Sequence, residues 1–427
     1  MRISQPTRIL LALFFGLIIG IAARATGGAW VDGAADIAQP IGSVWLAGLQ
    51  MTIVPLVVSL LITGIAAGAE AARSSRLAGR ALVLIVAVLW TSSALAAALT
   101  PLLLDLFPMP AEAAAALRSA MSTAGPVGEV PGFGEFLRSI VPTNPVTAAA
   151  NDAILPLIVF TAAFAFALTR IGEQPRSQLV GLFQAIADVM LVVINWVLWL
   201  GPIGVFALAF VVGARAGGDA FGALLHYVLV VSAVGAVIWL LAYPLARVGA
   251  GVGIVQFARA VAPAQAVALS TQSSLATLPE MLRSSERLGV PVAASGVVLP
   301  LAVALFRATG PAMNLAVALY VAHWFGVELG PAQIAAGVAA AAITTMGAVS
   351  LPGQVSFITS IGPIALAIGV PVEALALLIA VETIPDLFRT IGNVTMDVAV
   401  TATVARRSGF GEAEMREEDR LLQADAG

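Results

Sequence analysis

The 427-residue chain contains no cysteine and no lysine, so all 21 of its basic residues are arginine. Without cysteine there is no disulfide, no thiolate metal site and no cysteine nucleophile. Only two histidines occur, His226 and His323, each alone in an apolar run. An isolated imidazole on such a face is more often a packed helix residue than a ligand. That argues against zinc hydrolysis and against a Ser-His-Asp triad. Charge is also scarce: 11% of residues are charged, where a soluble chain carries roughly 25%. The net charge of −3 argues against a nucleic-acid partner.

What is there instead is hydrocarbon. Hydrophobic residues make up 60% of the chain and the mean hydropathy is +0.99. One soluble core cannot absorb this, because soluble cores stop growing at a few hundred residues. A lipid bilayer must solvate much of the surface. A helical crossing needs about 20 mainly apolar residues. Segments 8–24, 41–68, 79–104, 150–169, 178–212, 220–246, 255–288, 292–326, 331–369 and 371–405 qualify, which makes the chain an all-α polytopic membrane protein. Several are too long for one crossing at about 1.5 Å per residue, so tilt, breaks or re-entrant hairpins are expected. The first segment follows Arg2 and Arg8 as a signal sequence would, but it lacks a convincing small-residue cleavage site and reads as a retained first helix.

Two long segments are interrupted in the middle. In 255–288 the break is Thr271-Gln272-Ser273-Ser274, with Pro279 shortly after; in 331–369 it is Ser350-Leu351-Pro352-Gly353-Gln354. Each leaves two arms too short for a full span. Irregular backbone survives at bilayer depth only where protein or a water-filled cavity satisfies its N–H and C=O groups. Interrupted helices in corresponding positions point to a transporter's substrate site. Two loosely packed helix pairs with ordinary polar kinks are the plainer reading.

Arginine placement sets the orientation. Arg2, Arg8, Arg73, Arg76, Arg80, Arg170, Arg176, Arg247, Arg259, Arg406 and Arg407 fall on alternate connections, and Arg283 and Arg287 join them if 255–288 returns to its own side; Arg24, Arg118, Arg138 and Arg215 are exceptions on the opposite connections. Both termini are then cytoplasmic, the first hairpin enters from inside and the second from outside. Segment 106–149 is an excursion expected to form short helices at the outer surface. The acidic tail after Ser408 reads as solvated.

The last span, Val381–Arg407, carries Asp386, Arg389, Asn393 and Asp397 at spacings of three, four and four, with Thr390 adjacent. These spacings place the four on one helical stripe. Ionisable groups at this depth are costly and usually functional. Asp386 and Arg389 could simply pair as neighbours one turn apart, which leaves Asn393 and Asp397 unexplained. Functionally, Arg389 offers a rigid fork for a carboxylate, Asp386 suits an ammonium group, and Asn393 and Asp397 are hard oxygen donors for a cation such as Na⁺. Backbone N–H groups at the hairpin tips, with Ser273, Ser274, Gly353 and Gln354, can hold a second carboxylate at half-helix ends. Together these bind a zwitterion with an extra carboxylate, an acidic amino acid. An intramembrane enzyme would need a nucleophile and base; Ser273, Ser274 and Asp386 have no imidazole, thiol or lysine to activate them.

Over nearly its full length the chain resembles the glutamate/aspartate transporter family, the dicarboxylate/amino acid:cation symporters. The matching strings are Val141-Pro-Thr-Asn-Pro145, Gly201-Pro-Ile-Gly-Val-Phe-Ala207, Ser273-Ser-Leu-Ala-Thr-Leu-Pro279, Leu351-Pro-Gly353 and Asp386-x-x-Arg389-Thr390-x-x-Asn393-Val-Thr-x-Asp397. The resemblance implies a homotrimer and an inverted-repeat elevator transporter of eight transmembrane helices plus two opposed re-entrant helical hairpins. It divides the chain into scaffold helices 1–2 (1–72), a third helix in the transport domain (73–105), scaffold helices 4–5 (106–216) and a sixth helix in the transport domain (217–252). There follow the first re-entrant hairpin (253–290), a broken seventh helix (291–327), the second hairpin as gate (328–370), the eighth helix (371–407) and a cytoplasmic tail (408–427). It implies substrate contacts from Ser273, Ser274, Pro352, Gly353, Asp386, Arg389, Thr390 and Asn393. Asn393 and Asp397 would hold a cation, with Na⁺ or H⁺ as coupling ion and no other cofactor. The family's dicarboxylate branch lacks an acid at the position of Asp386, which favours amino acids over succinate-like substrates.

One stretch departs from the pattern. Where the family's broken seventh span carries Asn-Met-Asp-Gly-Thr, this chain carries Phe306-Arg307-Ala308-Thr309-Gly310. The sodium-binding Asp and Asn are replaced, and Thr91 and Ser92, which match other ligands of that site, are left as its vestige. Gln272 also stands where many microbial relatives carry Arg. Arg307 is expected to supply fixed positive charge where relatives recruit a cation, reducing sodium dependence or leaving a proton as driving ion. The plainer alternative has Arg307 snorkelling to the cytoplasmic edge.

Overall fold

The computed structural model describes residues 5–28, 30–109, 138, 140–347 and 353–408, and it is helical throughout that range. Pro352 and the rest of the second interruption before Gly353, most of the 106–149 excursion and the tail from 409 lie outside the described residues.

Helices α1 (Gln5–Thr26), α2 (Trp30–Gln50) and α3 (Ile53–Ser74) open the chain, followed by α4 (Arg76–Leu106). The apolar run 41–68 is therefore divided at Met51-Thr52, and the physical reason is Pro55. Its missing N–H leaves the Met51 carbonyl without the partner that would continue the ladder. After the short α5 (Pro145–Ala150) come α6 (Ile154–Leu168), α7 (Glu173–Trp199) and α8 (Gly201–Ala216). Segment 178–212, too long for one crossing, is two helices, because Pro202 stands in the first turn of α8 and cannot continue α7. Helix α9 (Asp219–Leu240) leads through α10 (Ala242–Leu245) into a π-helical turn, Ala246–Ala250.

The two interrupted segments fold as helical hairpins. Helices α11 (Ile254–Thr271) and α12 (Ser274–Arg287) pack on each other, as do α15 (Pro331–Gly347) and α16 (Gly353–Ala367). Between them the seventh segment is itself broken at Phe306-Arg307-Ala308 into α13 (Val292–Leu305) and α14 (Thr309–Phe325). A single turn, α17 (Leu375–Leu378), precedes the last helix, α18 (Thr383–Ser408).

Among the described residues, six helical segments are long and apolar enough to cross a membrane: Thr7–Thr26, Trp30–Arg73, Arg76–Leu106, Glu173–Trp199, Phe221–Ala250 and Val292–Phe325. Ile154–Leu168, Gly201–Ala216, Pro331–Met346 and Ser356–Ala367 are shorter apolar helices. The first helix shows how lipid is met: Leu10, Leu11, Phe14, Phe15, Ile18 and Ile19 are exposed along one stripe. Ile9, Leu13 and Leu17, on the other side, are buried.

One hydrophobic cluster gathers α1–α3 and α6–α8 with parts of α9 and α14–α17; a second joins α4, α9, α11–α14 and α18. Helix α18 belongs to the second and differs from the sequence expectation in one respect. From Arg389 to Ala405 every residue is buried, so the stripe does not interrupt a lipid-facing helix. The helix is enclosed by protein, which is why it tolerates so many polar groups.

Two family strings turn out to be framework. Asn144 caps α5, its Oδ1 accepting from the N–H groups of Val146 at 2.9 Å and Thr147 at 3.2 Å. Gly204 lies under Trp45, and a Cβ there would approach the indole to 2.3 Å. Trp45 Nε1 in turn donates to the Val197 carbonyl at 2.9 Å.

Helices α1 and α8 cross at Gly16, Gly20 and Gly213, the small-residue contact that lets membrane helices approach closely. A Cβ on Gly20 would lie 2.4 Å from the Phe210 carbonyl oxygen, which belongs to backbone and cannot turn away. Gly20→Leu is therefore expected to force the crossing apart and destabilise the protein by about 1–3 kcal/mol or more. Thermal unfolding in detergent checks this, with Ile19→Leu on the exposed side as a neutral control.

Candidate functional site

The site is built where the broken seventh segment meets α18. At the break, Phe306 is extended and the chain re-enters helix at Thr309. The new helix end is fastened to α18 directly: Thr309 N–H donates to Asn393 Oδ1 at 3.0 Å. The Thr309 hydroxyl lies 2.7 Å from the same oxygen and 2.9 Å from the Arg389 carbonyl. The carbonyl of Asn393, read from the sequence as a cation donor, is thus bonded to the first turn of α14.

Arg389 is 6% exposed and stands at the centre of the cluster. Its Nη1 donates to Glu382 Oε1 and, at 3.1 Å, to Asp386 Oδ1. Its Nη2 donates to Asn314 Oδ1 of α14 at 3.3 Å. The neighbour pairing of Asp386 with Arg389 is therefore present, but it is one part of a larger arrangement. Arg389 Nε has no hydrogen-bond partner among the described residues. Thr390 turns its hydroxyl to the Asp386 carbonyl at 2.9 Å.

Glu382 was not among the sequence-predicted site residues. It is 2% exposed, sits just ahead of α18, and its Oε2 accepts from the Tyr227 hydroxyl of α9 at 3.0 Å. The signal was present: Glu382, Asp386 and Arg389 continue the same stripe at spacings of four and three, and Glu382 is an acid in the apolar run Leu377-Leu-Ile-Ala-Val-Glu382. A stripe counted only from the first helical turn passes over it.

Asp397, two turns beyond Arg389, is fully buried. Neither carboxylate oxygen has a hydrogen-bond partner among the described residues. An anionic oxygen pair in that condition is chemically suited to a bound cation or a proton. Arg307 is within electrostatic range of both Asp386 and Asp397. It also donates from Nη1 to Ser356 Oγ at 3.1 Å, tying the break to the second hairpin's arm α16. Snorkelling to a membrane edge does not fit a half-buried guanidinium so held.

The remaining predicted residues fall around this centre. Ser273 caps α12, its Oγ accepting from Ala276 N–H at 3.2 Å, and Gln272 turns the hairpin tip in the left-handed region at φ 50°. Ser274 begins α12, which packs on α18. Gln265 of α11 donates to Thr395 Oγ1 at 2.9 Å and fastens the first hairpin to the last helix. Gly353 opens α16. Thr91 and Ser92 both turn their hydroxyls to their own helix, at the carbonyls of Ala87 and Leu89, and Thr91 is exposed.

A buried guanidinium between two carboxylates, where a broken span meets a polar buried helix, is the equipment of a polytopic membrane transporter of small charged solutes. The chain belongs to the sodium:dicarboxylate symporter family, which it matches over residues 6–407. It is similar to a proton/glutamate-aspartate symporter of Escherichia coli, 26% identical over 95% of this chain and 93% of that protein. A proton/sodium-glutamate symport protein of Bacillus caldotenax is 28% identical over 90% of each chain. A C4-dicarboxylate transport protein of Ralstonia nicotianae is 27% identical over 95% of this chain and 90% of its own. The family consists of sodium- or proton-coupled symporters, not enzymes.

Proposed function

We propose that the protein carries an acidic amino acid, aspartate or glutamate, across the cell membrane with reduced sodium dependence. The observation that carries this reading is Arg389 buried beside Asp386, a guanidinium for the side-chain carboxylate and an acid for the ammonium group. A plain dicarboxylate brings no ammonium for Asp386 to hold, and a neutral amino acid brings nothing for Arg389. Ser273, Ser274, Pro352, Gly353, Thr390 and Asn393 complete the substrate shell, with Asp397 and the Asn393 side chain toward a cation. Support for full coupling to sodium is weak at the break. Phe306-Arg307-Ala308 offers a guanidinium and no carboxylate, and Arg307 acts as the charge-compensating group.

In this reading the two hairpins re-enter from opposite faces and the second is the gate. The domain carrying α4, α9, both hairpins, the broken seventh span and α18 moves like an elevator against a scaffold, in a homotrimer with cytoplasmic termini. Support comes from the second cluster, which joins α4, α9, the first hairpin, the broken seventh span and α18, and from the arginine bias of alternate connections.

Uptake of radiolabelled aspartate into proteoliposomes tests the reading. Excess unlabelled aspartate is expected to compete strongly and succinate and serine weakly. Stronger competition by succinate would replace this reading with the C4-dicarboxylate one. Collapsing the Na⁺ gradient is expected to leave most uptake intact; full dependence on several Na⁺ ions would sink the proposed role of Arg307.

A further inference from the structure

We infer that Glu382 is a proton-binding site of the transport cycle: it takes up one proton when the acidic substrate engages Arg389 and gives it up on the other side. This rests on the substrate reading above and adds the location of the charge that accompanies the substrate.

The first ground is charge. Arg307 and Arg389 face Glu382, Asp386 and Asp397, two guanidiniums against three carboxylates, which leaves one formal negative charge in a buried cluster. An acidic amino acid brings two carboxylates and one ammonium, hence one further negative charge. Like charges confined at low dielectric repel strongly, and one of them is relieved by protonation. A cation at Asp397 would offset charge there but would leave Arg389 shared between two carboxylates.

The second ground is competition for the fork. Arg389 Nη1 is already shared between Glu382 and Asp386. A substrate carboxylate that reaches the guanidinium becomes the third carboxylate on it, and loss of charge by one of the two resident ones relieves that crowding. Asp386 keeps its charge for the substrate ammonium, and at 14% side-chain exposure it is the more open of the two. Protonating Asp397 would leave the fork as crowded as before.

The third ground is that Glu382 is built to be satisfied in both states. With the carboxylate ionised, the Tyr227 hydroxyl donates to Oε2 at 3.0 Å. When a proton from solvent forms an O–H bond at Oε2, the same hydroxyl can rotate and accept, since a phenol both donates and accepts. The groups facing Glu382 among the described residues are Arg389 and Asp386 of its own helix and Tyr227 of α9. Tyr227 stacks edge-on to Tyr320 of α14 at 5.3 Å, and Tyr320 Oη meets His226 Nδ1 at 2.9 Å. His226 is the imidazole at the far end of this chain of contacts.

Calorimetric titration of the purified protein with aspartate, in two buffers of different ionisation enthalpy at neutral pH, counts the protons. Wild type is expected to take up about one proton per aspartate bound, Glu382→Gln none while still binding, and Glu382→Asp and His226→Gln about one each. Binding without proton uptake in wild type overturns the assignment alone; so does uptake that persists in Glu382→Gln or vanishes in Asp397→Asn or His226→Gln. Wild type that binds no aspartate overturns the substrate reading and this inference with it. Should Glu382→Gln fail to fold, infrared difference spectra of wild type and Glu382→Asp decide. A carboxylic-acid C=O band that appears with aspartate must differ in frequency between the two, and an unchanged band overturns the assignment.

Discussion

Arg389→Ala is expected to abolish binding of acidic amino acids and to destabilise the protein as well. Both effects have one source. The guanidinium is the shared partner of Glu382, Asp386 and Asn314, and alanine leaves two carboxylates side by side with little water to solvate them. Breaking a buried pair in this way costs about 3–5 kcal/mol. Loss of a desolvated charge partner for the substrate costs about 2–5 kcal/mol of binding, at least roughly thirtyfold in affinity. Calorimetry with aspartate measures the second and thermal unfolding in detergent the first. Arg389→Lys separates them: it restores the charge and most of the stability, but a point ammonium cannot reproduce the planar fork, so affinity stays low. Unchanged aspartate affinity in either variant would refute the role of Arg389.

The second large effect is expected at the break. Arg307→Met with Ala308→Asp replaces a buried-side guanidinium by a carboxylate near Asp397, a change of two charge units in the cluster. Asp397 now has both oxygens without a hydrogen-bond partner among the described residues, and the nearby positive charge is Arg307. Removing that charge and adding a second acid creates an anionic oxygen cluster, the donor chemistry that hard cations require. Aspartate uptake should change from weakly to steeply dependent on the Na⁺ gradient, by about tenfold or more on the scale of typical couplings between sites. If the double variant is as indifferent to Na⁺ as wild type, the break does not set ion coupling. Ser356→Ala tests the other arm of Arg307: it removes the 3.1 Å contact to α16 without altering charge, so it should leave sodium dependence alone.

The sequence made the positions of the hairpins legible because polar, proline- and glycine-containing tips in long apolar runs have few other uses. The interruption at Thr271–Ser274 is where α11 ends and α12 begins. It also located the break at Phe306–Ala308 through its departure from a known pattern, and the structure breaks the helix there. Less legible were the divisions at Met51-Thr52 and at Leu200, since a proline within an apolar run is compatible with either a kink or a full stop, and neighbouring helices decide between them.

Glu382 shows the limit most clearly. Its spacing to Asp386 and Arg389 was readable, but its significance depends on Tyr227, 155 positions earlier in the chain. Likewise, nothing in the stripe foretold that the Asn393 side-chain oxygen would accept from Thr309. Composition and periodicity are local properties, and they sufficed to establish a helical membrane protein, its interrupted spans and a buried stripe of charge. Which of those charges meet, and which polar atoms remain without a partner, depends on contacts between helices far apart in sequence. Only the packing of α9 and the broken seventh span against α18 decided that Glu382 meets Tyr227, that Asn393 meets Thr309, and that Asp397 has no hydrogen-bond partner among the described residues.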